Sequence, residues 1–261
     1  MHKDKFLTRR EMPNWPATRP PPPLDRHSAL FLDVDGTLLE IASQPDLVQV
    51  PSDLPSLLHD LTQQRGGALA LVSGRPLDDI DRLFRPWRGA AAGLHGSERR
   101  RAGGTLETTA NPAAVAALDR LRPPLGALAA ADRRLALEDK RGTLALHYRG
   151  APEREREIRS LAAALARREA SLRSIAGKMV VEFQPRGIDK GAAIAAFLDE
   201  PPFCGRLAVF VGDDVTDEDG FAEIGRRGGI AIRVGPPAKT RAEYALANVR
   251  AVHSWLASDL Q

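Results

Sequence analysis

The first predicted strand runs directly into two acidic residues in the segment Ala29-Leu30-Phe31-Leu32-Asp33-Val34-Asp35-Gly36-Thr37-Leu38. Its first four residues are apolar, which is typical of a strand that is buried on both faces in a parallel sheet. Gly36 then breaks the strand, and ligands of open α/β sheets bind at the carboxyl ends of the strands. Asp33 and Asp35 would repel each other there unless a cation lay between them, so the segment predicts a site for Mg²⁺. An Asp-Gly turn with two hydrated acids is the alternative that this segment alone leaves open.

Length and composition are those of an ordinary globular protein. The chain has 261 residues, of which 43% are hydrophobic and 27% charged, and this length fits one large domain or two modest ones. No apolar stretch approaches the ~20 residues of a membrane span, and the basic N-terminus lacks the apolar core of a secretory signal. The single cysteine, Cys204, excludes an internal disulfide framework and a thiolate metal site. We therefore predict a cytoplasmic protein that does not bind membranes. The neighbours Phe203 and Gly205 favour a packing role for Cys204 over a catalytic one.

The charge of the chain is mildly basic and spread out. The net charge is +3 and the sequence pI is about 9.3, with short arginine runs at Arg99-Arg100-Arg101, Arg167-Arg168 and Arg226-Arg227. Such runs are usually solvated, and binding of nucleic acid needs one concentrated basic patch. We therefore expect no nucleic-acid partner, and we interpret the positive charge as an attraction for a phosphorylated small molecule.

The chain divides into a leader, a first core segment, an inserted block and a second core segment. Residues 1–27 hold six of the twenty prolines and are predicted to be an extended or disordered leader. Residues 28–110 alternate buried strands, 68–72 and 90–94, with helices over 54–61 and 76–83. Residues 185–261 resume this pattern, with a helix over 190–198, strands over 207–211 and 230–234, and a last helix that includes Leu246. Alternation of this kind predicts a doubly wound parallel sheet.

The pattern changes between residues 111 and 184. A helix over 112–130 precedes two alternating strands, 134–139 and 143–149. A charged helix beginning near Pro152 then precedes two more strands, 171–175 and 178–184. Half-buried strands in the order αββαββ predict an antiparallel sheet with helices on one side. We expect a separate small domain inserted into the first.

Three polar side chains at the first two strand ends suit phosphoryl transfer. Asp33 leaves its strand first and is the natural nucleophile, since aspartates form aspartyl-phosphate intermediates. Asp35 can protonate a leaving alkoxide and later deprotonate the attacking water. Ser73 follows the second strand and offers a hydroxyl to phosphoryl oxygens.

The second core segment supplies the remaining groups. Lys190 begins a helix, and both its charge and the helix N-terminus suit a phosphate. Asp213 and Asp214 follow the next buried strand and would complete an oxygen shell for a hard cation. The chain contains neither a P-loop nor a Gly-x-Gly-x-x-Gly motif, and an EF-hand around Gly220 is excluded because Val215 and Arg226 would fall at ligand positions.

These motifs resemble those of a known superfamily. Four motifs of the haloacid dehalogenase superfamily occur in order as Asp33-Val34-Asp35-Gly36-Thr37, Ser73-Gly74-Arg75, Lys190 and Gly212-Asp213-Asp214. Finer features are similar to the trehalose-6-phosphate phosphatases within it: Gly93-Leu94-His95-Gly96, Glu138-Asp139-Lys140, Val181-Glu182-Phe183 and Asp213-Asp214-Val215-Thr216-Asp217. The resemblance covers residues 24–261. It implies a Rossmann-like core, an inserted αββαββ cap of the C2B type, and Mg²⁺-dependent hydrolysis of trehalose 6-phosphate, with Asp33, Asp35 and Asp213 at the metal.

The resemblance also implies substrate contacts in the inserted block. Side chains two apart on a strand share a face, so Glu138 and Lys140 point together while Asp139 points away. By resemblance these two residues, with Glu182 on a neighbouring strand, hydrogen-bond the sugar hydroxyls. A surface Glu–Lys pair is the alternative, because exposed pairs are common and contribute little.

Other residues receive a role from the same resemblance. His95 and Gly96 are expected to line the substrate cleft, although His95 could instead cap a strand. Arg75 is expected to reach the phosphate or to sit at a helix start. Asp214 and Asp217 are expected to orient the metal site from outside the direct ligands.

We predict a two-domain, monomeric Mg²⁺-dependent phosphatase of trehalose 6-phosphate. Phosphatases of sucrose phosphate, mannosyl-3-phosphoglycerate or a hexose phosphate are the enzyme alternatives. A regulatory subunit that binds phosphate without catalysis is the alternative from another class, and four intact motifs argue against it.

Overall fold

The structure is a computed structural model that describes residues 19–42, 47–109, 111–139, 142–177 and 179–260. Two β-sheets with helices packed against them account for most of these residues. The predictions for residues 1–18 and for Lys140 lie outside the described residues.

The order of helices and strands follows the alternation expected from the sequence. The elements are β1 Ala29–Leu32, α1 Leu54–Gln64, β2 Leu69–Val72, α2 Leu77–Leu83, β3 Ala90–Gly93, β4 Glu98–Arg100, β5 Leu106–Thr108, α3 Pro112–Ala131, β6 Ala136–Asp139, β7 Leu144–His147, α4 Glu155–Arg168, β8 Leu172–Gly177, β9 Val180–Pro185, α5 Lys190–Leu198, β10 Ala208–Gly212, α6 Glu218–Arg226, β11 Ile230–Val234, β12 Tyr244–Leu246 and α7 Val249–Ala257.

The larger sheet, which we call the core sheet, has the strand order β12-β11-β10-β1-β2-β3-β4-β5. The strands from β12 to β3 pair in parallel, while β4 and β5 extend the sheet in antiparallel pairing. Leu30 of β1 lies between Val209 and Leu69, so β1 occupies the middle. The residues that follow β1, β2 and β10 therefore meet at one edge of the sheet, because parallel strands end on the same side.

Helices cover both faces of the core sheet, because alternate residues of a strand point to opposite sides. Leu30 and Leu32 pack with apolar residues of α1, α2 and α7. Ala29 and Phe31 pack with those of α5 and α6. The continuous apolar run of β1 therefore serves two cores, and this confirms the predicted doubly wound parallel sheet.

The smaller sheet, which we call the cap sheet, has the order β6-β7-β9-β8 with antiparallel neighbours. Its elements follow one another as α3-β6-β7-α4-β8-β9. Leu144 and Leu146 of β7 pack with Leu121 of α3 and Ile158 of α4. One face of the cap sheet is thus covered by two helices, and polar side chains are concentrated on the other face.

Three strands were missed by the sequence prediction, and one arginine run was misinterpreted. The prediction lacked β4 and β5 and placed Leu246 on the last helix, whereas Leu246 lies in β12. The prediction that Arg100 is solvated is wrong, since Arg100 is only 2% exposed. Its guanidinium donates to the carbonyl of Gly89 at 2.9 Å and to Asp81 Oδ2 at 2.8 Å. One carboxylate and one backbone carbonyl therefore bind the guanidinium and allow Arg100 to be buried at the sheet edge.

The end of the predicted leader contacts the core sheet. Arg19 forms a parallel bridge with Tyr244 of β12, and its side chain pairs with Glu243 at 2.7 Å. Trp255 of α7 donates its indole N–H to the carbonyl of Pro22 at 2.9 Å. The described part of the leader thus lies along the β12 edge.

Cys204 is exposed, so the expected packing role for this cysteine is wrong, although its neighbour Phe203 is buried. In the parts of the chain that the structure describes, no helix combines the length and the apolarity needed to cross a membrane.

Candidate active site

The carboxyl edge of the core sheet brings the predicted catalytic groups together. Asp33 follows β1 and Lys190 opens α5, and both are only 3% exposed. Lys190 Nζ donates to Asp33 Oδ1 at 2.6 Å and to Asp217 Oδ1 at 2.7 Å. Burial by itself would lower the pKa of Lys190, but the charges of Asp217 and Asp33 raise it above its ordinary value. Lys190 therefore stays charged between two carboxylates.

Asp217 organises the loop that follows β10. Its side chain is completely buried, and its Oδ2 accepts the backbone N–H groups of Asp213 and Asp214 at 2.9 Å each. Its Oδ1 is the oxygen that accepts from Lys190. Both oxygens are thus occupied, so Asp217 orients its neighbours. A Cβ on Gly212 would overlap this carboxylate, which explains the glycine at the strand end.

Three carboxylates form a compact acidic cluster at this edge. Asp33, Asp213 and Asp217 each place one oxygen within 4.8 Å of the others. Burial first, and then the nearby charge of Asp217, raises the pKa of Asp33 well above its usual range and that of Asp213 to about 7. A donor set made only of oxygens, with acids that repel one another, fits a hard divalent cation. Gly36 leaves room for the Asp213 carboxylate of this cluster, which a Cβ at position 36 would overlap.

The raised pKa values predict how Mg²⁺ affects stability. Burial and neighbouring charge raise the pKa of folded Asp213 from its ordinary value of 3.8 to about 7. Without metal, protonation of Asp213 therefore stabilises the folded state, and this stabilisation is lost as the pH rises through about 7. Mg²⁺ competes with the proton for the same oxygens. We expect the rise in melting temperature on adding Mg²⁺ to be larger at pH 8 than at pH 5.5. Equal rises at both pH values would contradict this account of the cluster.

Asp35 is not one of the three carboxylates of the acidic cluster and is paired with an arginine. Arg75 holds its carboxylate with two parallel hydrogen bonds, from Nε at 2.7 Å and from an Nη at 2.6 Å. The Arg75 side chain is 9% exposed and that of Asp35 is 37% exposed. In the structure, Arg75 thus forms an ion pair with Asp35. The predicted roles of Asp35 at the metal and of Arg75 at the phosphate stay predictions.

Two buried hydroxyl groups lie at this edge of the core sheet, and one of them contacts Asp33. Ser73 is buried, and its Oγ accepts the backbone N–H of Arg75 at 3.1 Å, which leaves its own O–H free to donate. Thr37 was not predicted as a site residue. It is fully buried, and its Oγ1 donates to Asp33 Oδ2 at 3.2 Å. Its position directly after Gly36 in the first motif was the signal that could have identified it.

The face of the cap sheet that is not covered by helices is turned towards the carboxyl edge of the core sheet. Asp139 pairs with Arg122 of α3 at 2.6 Å, so it points to the helices, and Glu138 therefore points to the opposite face. Glu182 of β9 lies on that face as well, and its Oε1 is 3.4 Å from His95 Nε2 in the core. The predicted sugar-contacting residues Glu138 and Glu182 thus share one surface.

Two partners of this surface were not predicted. His147 Nε2 lies 2.9 Å from Glu138 Oε2. Arg173 of β8 reaches the core and pairs with Asp219 at 2.9 Å. The first pair lies across the β6–β7 hairpin, whereas the second joins residues that are far apart in sequence, so no local pattern identifies it.

Gly96, which was predicted to line the cleft, lies beside α5, where a Cβ on it would come within 3.1 Å of Ala193 Cβ.

Comparison with known proteins identifies the family. Residues 31–250 match the family model described as trehalose-phosphatase. The chain is 49% identical over 210 residues to a probable trehalose-phosphate phosphatase of Sinorhizobium fredii, covering 80% of this chain and 78% of that protein.

The chain belongs to the trehalose-phosphatase family. A second member, the trehalose-6-phosphate phosphatase of Escherichia coli K12, is 43% identical over 235 residues, which covers 90% of this chain and 87% of that protein. Membership confirms the resemblance found in the four motifs.

Solved structures agree on the fold. The C-terminal domain of the C. albicans trehalose-6-phosphate phosphatase superposes with a TM-score of 0.80 at 20% identity, covering 93% of this chain and 98% of that one. A phosphatase of the HAD superfamily from Bacteroides thetaiotaomicron gives a TM-score of 0.59 at 16% identity, covering 88% and 93%. This member of the trehalose-phosphatase family therefore has the same fold as these phosphatases, which confirms the predicted parallel-sheet core.

Proposed function

We propose that this protein is a Mg²⁺-dependent phosphatase that hydrolyses trehalose 6-phosphate to trehalose and inorganic phosphate. The observation that carries the proposal is the buried Asp33–Lys190 pair beside Asp213, at the core-sheet edge that the cap sheet faces. Relatives named for this activity support the choice of substrate. The cytoplasmic location and the monomeric state stay predictions from sequence.

Two steps account for the reaction. Asp33 attacks phosphorus and forms an aspartyl phosphate, while the sugar leaves with a proton supplied by Asp35, whose carboxyl group is first released from Arg75. Water then attacks the phosphoryl group, Asp35 takes its proton back from the water, and inorganic phosphate leaves with Asp33 restored. Lys190 balances the charge on Asp33 and on the phosphoryl oxygens, and Ser73 can donate its hydroxyl to one of those oxygens.

The residues proposed to hold Mg²⁺ are Asp33 and Asp213, with Asp35 as predicted from the motif. Asp217 lies in the same cluster, but Lys190 and two backbone N–H groups already use its oxygens. Asp217 and the exposed Asp214 therefore act on the geometry of the loop around Asp213. When bound, the cation neutralises negative charge on the phosphoryl group.

The cap sheet is proposed to bind the sugar. Glu138 and Glu182 project from the same face of this sheet, and Glu182 approaches His95 of the core. Lys140 joins them by the prediction from sequence. Their contacts would lie away from phosphorus, so their binding energy serves positioning and cap closure. Substrates that lack the sugar should not benefit from them.

Comparing two substrates tests this division between the cap and the core. Changing Glu138, Lys140 or Glu182 to Ala should lower kcat/KM for trehalose 6-phosphate by about tenfold for each ~1.4 kcal/mol lost. Hydrolysis of p-nitrophenyl phosphate, which cannot reach these groups, should change little. Asp35→Asn serves as the matched comparison and should lower kcat/KM for both substrates. Equal losses on both substrates in the three cap variants would mean that these residues hold the cap together and do not contact the sugar.

A further inference from the structure

Three successive residues of the core, Leu94, His95 and Gly96, have backbone φ angles of 48°, 59° and 113°. Positive φ is costly for the first two because they carry a Cβ, and such strain persists where surrounding structure enforces it, often at functional sites. Here Leu94 N donates to the carbonyl of Arg75 at 3.0 Å and His95 N to that of Ser73 at 2.9 Å. The strained segment is thus fastened to the loop that carries Ser73.

The His95 ring is buried without satisfying its polar atoms. Its side chain is 8% exposed, and neither ring nitrogen has a hydrogen-bond partner among the described residues. The ring lies against Gly74, where a Cβ would come within 2.8 Å of Cε1 and Nε2. A glycine in the Ser73 loop therefore makes room for a ring whose nitrogens have no partner there. Buried polar groups left in this way are rare and need an explanation.

The cap sheet provides the partner that the ring faces. Glu182 Oε1 is 3.4 Å from His95 Nε2, and the Glu182 side chain is 12% exposed. This separation is an ion-pair distance but is long for a hydrogen bond. Gly142, in the turn between β6 and β7, approaches the same segment, since a Cβ there would lie 3.8 Å from Leu94 Cδ1. The strained segment is therefore where the cap meets the core.

We propose that His95 is a positioning residue that donates its Nε2–H to Glu182 when the cap closes on a sugar phosphate. The inference rests on the proposed function, because it assigns Glu182 to the sugar. A carboxylate has two oxygens, so the ring can hold one while the other contacts a hydroxyl group. Hydrogen bonds at active sites often tighten only in the substrate complex, which accounts for the distance of 3.4 Å.

The strained backbone fixes the position of the His95 ring in this contact. With the main chain held by two hydrogen bonds and the ring confined by Gly74, His95 has little freedom to follow Glu182. The carboxylate must therefore come to the ring, and it does so only in one closed position of the cap. His95 thus links the presence of a sugar in the cap to the loop of Ser73.

A double-mutant cycle tests the proposal. His95→Leu, His95→Gln, Glu182→Gln and the combination of His95→Leu with Glu182→Gln are assayed with trehalose 6-phosphate and with p-nitrophenyl phosphate. We expect His95→Leu to lower kcat/KM for the sugar phosphate by about tenfold or more and that for the aryl phosphate by less than about twofold. His95→Gln, which keeps a donor near the position of Nε2, should recover much of the loss. His59→Leu, the same change on the exposed surface of α1, is the matched control.

The combined variant decides the outcome. If the two residues act through each other, adding His95→Leu to Glu182→Gln should cost little more than Glu182→Gln alone. Fully additive losses, or equal losses on both substrates, would overturn the proposal. If His95→Leu does not fold, His95→Asn replaces it, since Asn tolerates positive φ but is too short to reach Glu182. If another sugar phosphate proves to be the substrate, the cycle is run with that compound, so failure of the proposed substrate is separated from failure of this contact.

Discussion

Asp33→Asn is expected to lower phosphate release from trehalose 6-phosphate by about 10⁴-fold or more. The amide keeps the shape of the side chain but lacks a nucleophilic oxygen and a negative charge. Lys190 retains its bond to Asp217 Oδ1 at 2.7 Å, so the loop after β10 keeps its anchor and the fold should survive. Steady-state phosphate release and thermal unfolding, measured on the same preparation, check both statements.

A second measurement identifies the covalent role of Asp33. Beryllium fluoride mimics the phosphoryl group on aspartate, so with Mg²⁺ it should protect the wild type from thermal unfolding and leave Asp33→Asn unprotected. Asp60→Asn, an exposed position on α1, is the matched control and should behave as wild type. An Asp33→Asn protein that unfolds normally and turns over near the wild-type rate would rule out the covalent mechanism.

Lys190→Met is expected to damage both activity and stability. The lysine is the cation that contacts both Asp33 and Asp217 in a site where all three side chains are at most 5% exposed. Its removal leaves buried carboxylates facing each other, and breaking a buried pair of this kind costs about 3–5 kcal/mol. We expect a loss of that order in the free energy of urea-induced unfolding in chelator, and an activity loss of about 10³-fold.

Added Mg²⁺ should restore part of the stability of Lys190→Met but little of its activity. The cation can screen the acidic cluster, but it cannot replace the ammonium at the phosphoryl group. Lys239→Met removes an exposed lysine and should change neither quantity. An unfolding free energy equal to that of the wild type in chelator would show that Lys190 does not compensate the charges of Asp33 and Asp217.

The core could be predicted from sequence because its signals are local. Uninterrupted apolar runs identify β1, β2 and β10 as central parallel strands, and the acids that follow them meet at one edge by the geometry of the sheet. Strands β4 and β5 could not be predicted, since β4 is Glu-Arg-Arg and carries no apolar pattern. Arg100 is buried in β4 because Asp81 and Gly89, both distant in sequence from it, bind its guanidinium.

The site was predictable as a set of strand-end residues but not as a set of contacts. The motifs identify Asp33, Lys190 and Asp213, whose positions follow from the strands and helix that carry them. The two parallel hydrogen bonds from Arg75 to the Asp35 carboxylate depend on side-chain direction, which the local sequence does not encode. The approach of Glu182 to His95 depends on how the cap sheet docks on the core, and no periodicity describes that.

The central claim is that trehalose 6-phosphate is the substrate, and a panel of sugar phosphates tests it most directly. Phosphate release is measured with Mg²⁺ from trehalose 6-phosphate, sucrose 6-phosphate, mannosyl-3-phosphoglycerate and glucose 6-phosphate, and again in excess chelator. We predict the highest kcat/KM for trehalose 6-phosphate, by about 100-fold, the effect of two lost sugar contacts of ~1.4 kcal/mol each, and no turnover in chelator. A higher kcat/KM for another member of the panel, or full activity without metal, would contradict the account.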